Sequence, residues 1–155
     1  MKFSSKENIE VPIEQVFEML TDFERHERSA MRRGADVSRT DSLSEPGVGV
    51  GWDIAFDFRG KRRKMHLEVV EFDRPYEITL SATLQGIDST INLQLVALSK
   101  SLTRFNVTSD IRPKTLSARL LVQSLKLVKA NVTKRFDKRM ATTARDMEDR
   151  YNSMA

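Results

Sequence analysis

Residues 115–152, TLSARLLVQSLKLVKANVTKRFDKRMATTARDMEDRYN, contain no glycine or proline and carry Leu121, Leu125, Val128, Val132, Phe136, Met140, Met147 and Tyr151 at steps of mostly three and four. That spacing lines one face of an α-helix and predicts a single long helix from Thr115 to about Asn152 with a buried stripe. At about 1.5 Å per residue such a helix runs past about 50 Å, longer than a small domain is wide, so its tail is expected to project or bend. A stripe this long needs a broad apolar surface opposite it, and the upstream sequence supplies one.

Before Pro113 the apolar period changes to two. Trp52, Ile54, Phe56 and Phe58 alternate with Asp53, Ala55, Asp57 and Arg59, which predicts a strand with one apolar face. Gly60 marks a hairpin turn, and Met65, Leu67 and Val69 continue that face on the returning strand. The alternation slips at Val69-Val70-Glu71-Phe72, the sign of a bulge. After Pro75, Ile78, Leu80, Ala82 and Leu84 share one side; Gly86 turns the chain into Ile91, Leu93 and Leu95; a last strand carries Phe105, Val107 and Ile111.

The chain begins with another strand, where Phe3, Ser5, Glu7, Ile9 and Val11 alternate with polar residues. Pro12 suits the first turn of a short helix containing Val16, Phe17 and Leu20. Asp22 is placed to cap a second helix through Arg33, which Gly34 ends. Ala35–Thr40 returns to strand, and a Ser44-Glu45-Pro46-Gly47 loop leads into the glycine-rich 47–51. The order is thus strand, two short helices, six antiparallel strands and a long helix. The simplest arrangement that buries every apolar face is an α+β helix-grip fold, a curved antiparallel sheet of about seven strands around the C-terminal helix.

The 155 residues suit one domain, 1–155, and 39% hydrophobic with 31% charged residues is an ordinary globular balance that argues against disorder. The absence of cysteine excludes disulfides and thiolate metal sites and suits a reducing compartment. No apolar leader opens the chain and no run approaches the about 20 apolar residues of a spanning helix, so a cytoplasmic protein is expected.

Three features taken together, Pro12-Ile13-Glu14-Gln15-Val16-Phe17 after the first strand, Pro46-Gly47-Val48-Gly49 before the third, and the long terminal helix, resemble the START-like polyketide cyclase/dehydratase (SRPBCC) superfamily over nearly the whole chain. A branch similar to carbon monoxide dehydrogenase accessory proteins is one form of that resemblance. It implies a cavity between sheet and helix for a lipid, sterol, polyketide or other apolar molecule. By alternation and helical phase the expected wall is Trp52, Ile54, Phe56, Met65, Leu67, Leu80, Leu93, Phe105, Leu121 and Leu125. The same residues also suit a solid core.

Catalytic signals are sparse. His26 and His66 are far apart, no acidic or histidine cluster has metal-ligand spacing, and no Gly-x-Ser-x-Gly elbow is present. No cofactor or metal is therefore expected. His26, beside Arg25 and Glu27, and His66, on the polar side of its strand, read as solvated residues. Asp57 is expected to pair across the hairpin with Lys64 or a neighbouring base. The loop Gly47–Gly51 precedes a strand rather than a helix, which argues against a phosphate cradle and leaves a gate at the cavity mouth or a plain turn.

The net charge of +4 is unevenly spread. Arg59-Gly60-Lys61-Arg62-Arg63-Lys64 suits either a soluble sheet edge or contact with an anionic partner, and without interleaved aromatics no nucleic acid is expected. Leu116, Leu120 and Leu127 form a minor apolar strip away from the main stripe, near Lys126, Lys134 and Lys138, suited to membrane-peripheral or protein contact if exposed. Three functions remain: a non-catalytic carrier or sensor of an apolar molecule, a cyclase, dehydratase or hydrolase, and an interaction or assembly protein. The inward pattern offers no acid or base, which favours the carrier.

Overall fold

The computed structural model describes residues 1–154; Ala155, the last residue of the expected domain, lies outside them. The order is β1 (Lys2–Ile9), α1 (Ile13–Leu20), α2 (Phe23–Arg32), β2 (Asp36–Arg39), β3 (Gly51–Phe58), β4 (Lys61–Asp73), β5 (Glu77–Leu84), β6 (Ile87–Ser99), β7 (Leu102–Pro113), α3 (Leu116–Leu127) and α4 (Lys129–Met154). The strands form one antiparallel sheet in the order β1-β7-β6-β5-β4-β3-β2. This is the α+β helix-grip arrangement, with the two short helices carrying the chain from one sheet edge, β1, to the other, β2.

Local chemistry sets the turns. Arg59 and Gly60 both have positive φ, as the two-residue hairpin between β3 and β4 requires. The register shifts between Val69 and Glu71, where the alternation slipped. Helix α2 ends at Gly34 (φ 94°), with the Gly34 N–H donating to Met31 O and the Ala35 N–H to Ala30 O. Asp22 occupies the position before α2, but its side chain makes no capping hydrogen bond; its carboxylate lies 3.8 Å from Arg150. Asp57 pairs with Arg62, its register partner, rather than with Lys64, which lies opposite Ala55.

The inner face of the sheet supplies Ile9, Val69, Ile78, Leu95, Phe105 and Val107 to a core closed by Val16, Phe17 and Met19 of α1 and by Met140, Ala144 and Met147 of α4. Helix α4 lies along β1, where Ser5 Oγ donates to Asp137 Oδ1 at 2.6 Å and the Glu10 N–H donates to Glu148 Oε2 at 2.8 Å.

The C-terminal helix is not continuous. It breaks at Val128 (φ −117°, ψ 20°), whose N–H folds back to Leu125 O at 3.1 Å. No glycine or proline marks the place; the break follows from packing. Helix α3 packs Ala118, Leu121 and Val122 around Ile87 at one end of the sheet, while α4 follows β1. One straight rod would serve only one of these surfaces. The bend expected from length therefore falls near the start of the helix rather than in its tail.

Candidate functional site

Two clefts open on the inner sheet face. The first, about 320 Å³, is walled by Trp52, Ile54, Leu67, Ile78, Leu80 and Leu93 of the sheet, with Leu20, Phe23, His26, Glu27 and Ala30 on the helical side and Val37 of β2 at the edge. The second, about 660 Å³, lies beside the helix break at Val128. Phe3, Phe58, Ile111, Leu125, Val128 and Phe136 line it, with Arg59 and Arg135 among them. Trp52 and Phe58 stand about 20 Å apart at about 3.3 Å per strand residue, so the clefts lie toward opposite ends of β3.

Of the expected wall, Trp52, Ile54, Leu67, Leu80 and Leu93 line the first cleft and Leu125 the second. The other four stand elsewhere. Phe105 is buried in the core beneath α4, Leu121 packs with Ala118 and Val122, Met65 borders a depression with Asp53 and His66, and half-buried Phe56 lines neither cleft. Alternation gave each of them the right strand or helix, but it does not tell which part of an inner face a helix covers. The α2 wall was not anticipated, although Phe23, Glu27 and Ala30 follow helical spacing. Arg59 was read as part of the basic hairpin, at a sheet edge or against an anionic partner, and neither it nor Arg135 was expected at a cleft.

The polar groups of the first cleft are held in place. Trp52, 6% exposed, donates its indole N–H to Glu27 Oε2 at 3.1 Å and stacks edge-on against Phe23 at 5.0 Å. Glu27 lies 3.6 Å from Arg39, whose guanidinium covers the Trp52 ring at 5.7 Å. Arg39 in turn grips Asp41 with two hydrogen bonds, of 2.9 and 2.7 Å. Those bonds, with a further N–H from Gly51, hold the Asp41 carboxyl well below the usual carboxylate range; the same pair raises the Arg39 pKa. A fixed ionic rail thus backs the tryptophan.

His26 keeps the exposure expected of it but is not isolated. It sits at the rim of the first cleft with Nε2 3.0 Å from Met19 O and 3.1 Å from Leu20 O. Carbonyls only accept, so Nε2 carries the proton here. His66 lies on the opposite sheet face, where a hydrogen bond to Asp53 at 2.9 Å raises its pKa; desolvation opposes the rise and Glu68 adds to it. The 47–51 loop lines neither cleft. Gly49 N–H donates to Val69 O, Val69 N–H to Val50 O, and Gly51 N–H to Asp41, which makes it a pinned structural turn.

In the second cleft, Arg59 donates to Ser124 Oγ at 2.6 Å and lies over Phe58 at 5.6 Å, fastening the β3–β4 hairpin to α3. Among the described residues neither Arg59 nor Arg135 forms a salt bridge; the hairpin's Arg62 is the one paired, with Asp57 and Asp36. The described residues contain no group of acids and histidines able to hold a metal ion.

Comparison with known proteins agrees with this architecture. No curated protein matches the chain in sequence. Among solved structures, norcoclaurine synthase from Thalictrum flavum, crystallised with dopamine and hydroxybenzaldehyde, is similar at 11% identity and a TM-score of 0.68, over 100% of this chain and 88% of that one. A Thermus thermophilus protein matches at 13% identity and 0.68, over 100% and 99%. The ZhuI aromatase/cyclase of a Streptomyces species matches at 12% and 0.61, over 86% and 89%. At these identities the likeness is one of fold. The family model described as polyketide cyclase / dehydrase and lipid transport matches residues 1–148, and the chain belongs to that family.

Proposed function

We propose that this protein binds, without turning over, a lipid or another apolar small molecule between its sheet and its helices. The observation that carries the reading is the first cleft: an apolar space at the lower end of the about 300–1,000 Å³ usual for small-molecule sites, with the Trp52 indole and the Glu27 carboxylate already partnered. Burial in such a wall rewards apolar surface and offers little to a polar reactant. The second cleft adds two guanidiniums to an apolar lining, which suits an amphiphile with an anionic end. A cytoplasmic setting is compatible with a chain lacking cysteine.

The location of the displaced pKa values supports binding over catalysis. Arg39 and Asp41 stand behind Trp52, and Arg62 and His66 lie across the outer face, off the lining of both clefts. Cyclase or dehydratase chemistry is the second reading, and one observation favours it: with Nε2 held by two carbonyls, the His26 ring is fixed in orientation at the rim of the first cleft.

Native mass spectrometry of freshly purified protein, before and after denaturation and extraction, is the first test. An adduct lost on denaturation supports carriage and gives the ligand's mass. Because Trp52 is the single tryptophan and forms part of the wall, energy transfer from it to cis-parinaric acid gives a direct titration. Saturable transfer that survives His26→Gln supports binding. No adduct and no transfer refute the carrier reading.

A further inference from the structure

Helix α3 carries a leucine strip that none of the described residues covers: Leu116, Leu120 and Leu127 are 75, 59 and 88% exposed. At about 100° per residue they fall within about 40° of one another, with Arg119 and Lys126 about 60–80° to one side and Ser124 about 80° to the other. Ser124 is the residue that holds Arg59, so the basic hairpin, with exposed Lys61 and Lys64, lies along the second flank. No acidic residue occurs between Asp110 and Asp137. The face is therefore an apolar ridge between two cationic margins.

We infer that α3 and the β3–β4 hairpin dock this protein on an anionic lipid bilayer, with the leucines entering the headgroup–acyl boundary and the lysines and arginines meeting lipid phosphates. A helix that buries its other side in its own domain and exposes leucine between cations has the pattern of an interfacial helix. A second copy of the chain is disfavoured as occupant, because it would set two cationic margins against each other. Leu116, Leu120 and Leu127 line neither cleft, and a bilayer, unlike a partner's side chains, requires no groove. Leu125, which lines the second cleft, stands about 140–180° around α3 from the leucines, so the docking face and the cleft are separate and the docking does not rest on the carrier reading.

The test is co-sedimentation with vesicles of phosphatidylcholine alone and of phosphatidylcholine with phosphatidylglycerol in equal parts. Binding is expected on the anionic vesicles and not on the neutral ones. It should fade as ionic strength rises from about 0.1 M to about 1 M and the Debye length falls from about 10 Å to about 3 Å. With about fivefold in partition per surface cation, Arg119→Glu with Lys126→Glu should weaken binding at least about twentyfold. Leu120→Asp with Leu127→Asp should weaken it at least about tenfold. Both pairs sit at exposed positions, so melting temperature and cis-parinaric acid binding should stay at the wild-type level. Failure to sediment with anionic vesicles, equal binding to neutral ones, or unaltered binding of the leucine variant overturns the docking and leaves the carrier reading standing. A wild-type dimer that Leu120→Asp with Leu127→Asp converts to monomer overturns it in favour of self-association.

Discussion

Glu27→Ala removes the acceptor of a buried indole N–H. Trp52 is 6% exposed and its Nε1 lies 3.1 Å from Glu27 Oε2, so the substitution leaves that donor unpaired at a cost of about 1–3 kcal/mol. The ion pair lost to Arg39 adds little, because its 3.6 Å contact is partly solvated and Arg39 keeps both bonds to Asp41. Trp52→Phe costs about 1–3 kcal/mol for lost volume, but it also deletes the donor. In that background Glu27→Ala should cost about 1 kcal/mol or less, giving a coupling energy of about 1–2 kcal/mol. Glu27→Gln, which keeps a carbonyl acceptor, should recover most of the loss. Urea denaturation followed by far-ultraviolet circular dichroism measures all four corners of the cycle, including those without tryptophan. Additivity within about 0.5 kcal/mol would refute the reasoning and show that solvent entering the cleft satisfies the indole.

Other outcomes follow from the same geometry. Gly86→Ala should destabilise by about 2–4 kcal/mol, since φ is +84° and the new Cβ would stand 2.7 Å from Thr115 Oγ1, which caps α3. Gly60→Ala, at φ +73° with open space around it, should cost only about 1–2 kcal/mol, and thermal melts of the two variants separate strain from clash. Leu80→Phe with Leu93→Phe fills the first cleft and should weaken cis-parinaric acid binding at least about tenfold while changing stability by less than about 1.5 kcal/mol; unchanged binding would place that ligand elsewhere. The Asp41 pKa is depressed in the folded state, so its stabilisation is full above the unfolded value of about 3.9 and is lost as pH falls through the folded value. The His66 pKa is raised, so its smaller contribution is full below about 6.5 and is lost as pH rises through the folded value. Urea midpoints of Asp41→Asn and His66→Gln against pH should differ from wild type in those opposite directions.

Much of the fold was legible because strand and helix periods act locally. The alternation at Trp52–Phe58, the slip at Val69–Glu71 and the stops at Gly34 and Gly60 each reflect φ/ψ preference or one-sided burial within a few residues, and the structure places a strand, a bulge, a helix end and a hairpin there. The family resemblance rested on the same elements in the same order. Where the wall lies was not legible in this way. Leu80 and Phe105 have the same inward phase, yet Leu80 faces a cleft and Phe105 lies under α4, because coverage depends on where a distant helix crosses the sheet.

The break at Val128, the approach of Arg59 to Ser124 and the bond from Trp52 to Glu27 join residues whose neighbours in sequence give no sign of them. The sequence by itself determined which faces are apolar, because side-chain chemistry and backbone period are properties of neighbouring residues. The tertiary structure alone decided which parts of those faces stay open as clefts and which cations border them. Both depend on how far a helix of fixed rise can follow a twisted sheet before it must bend.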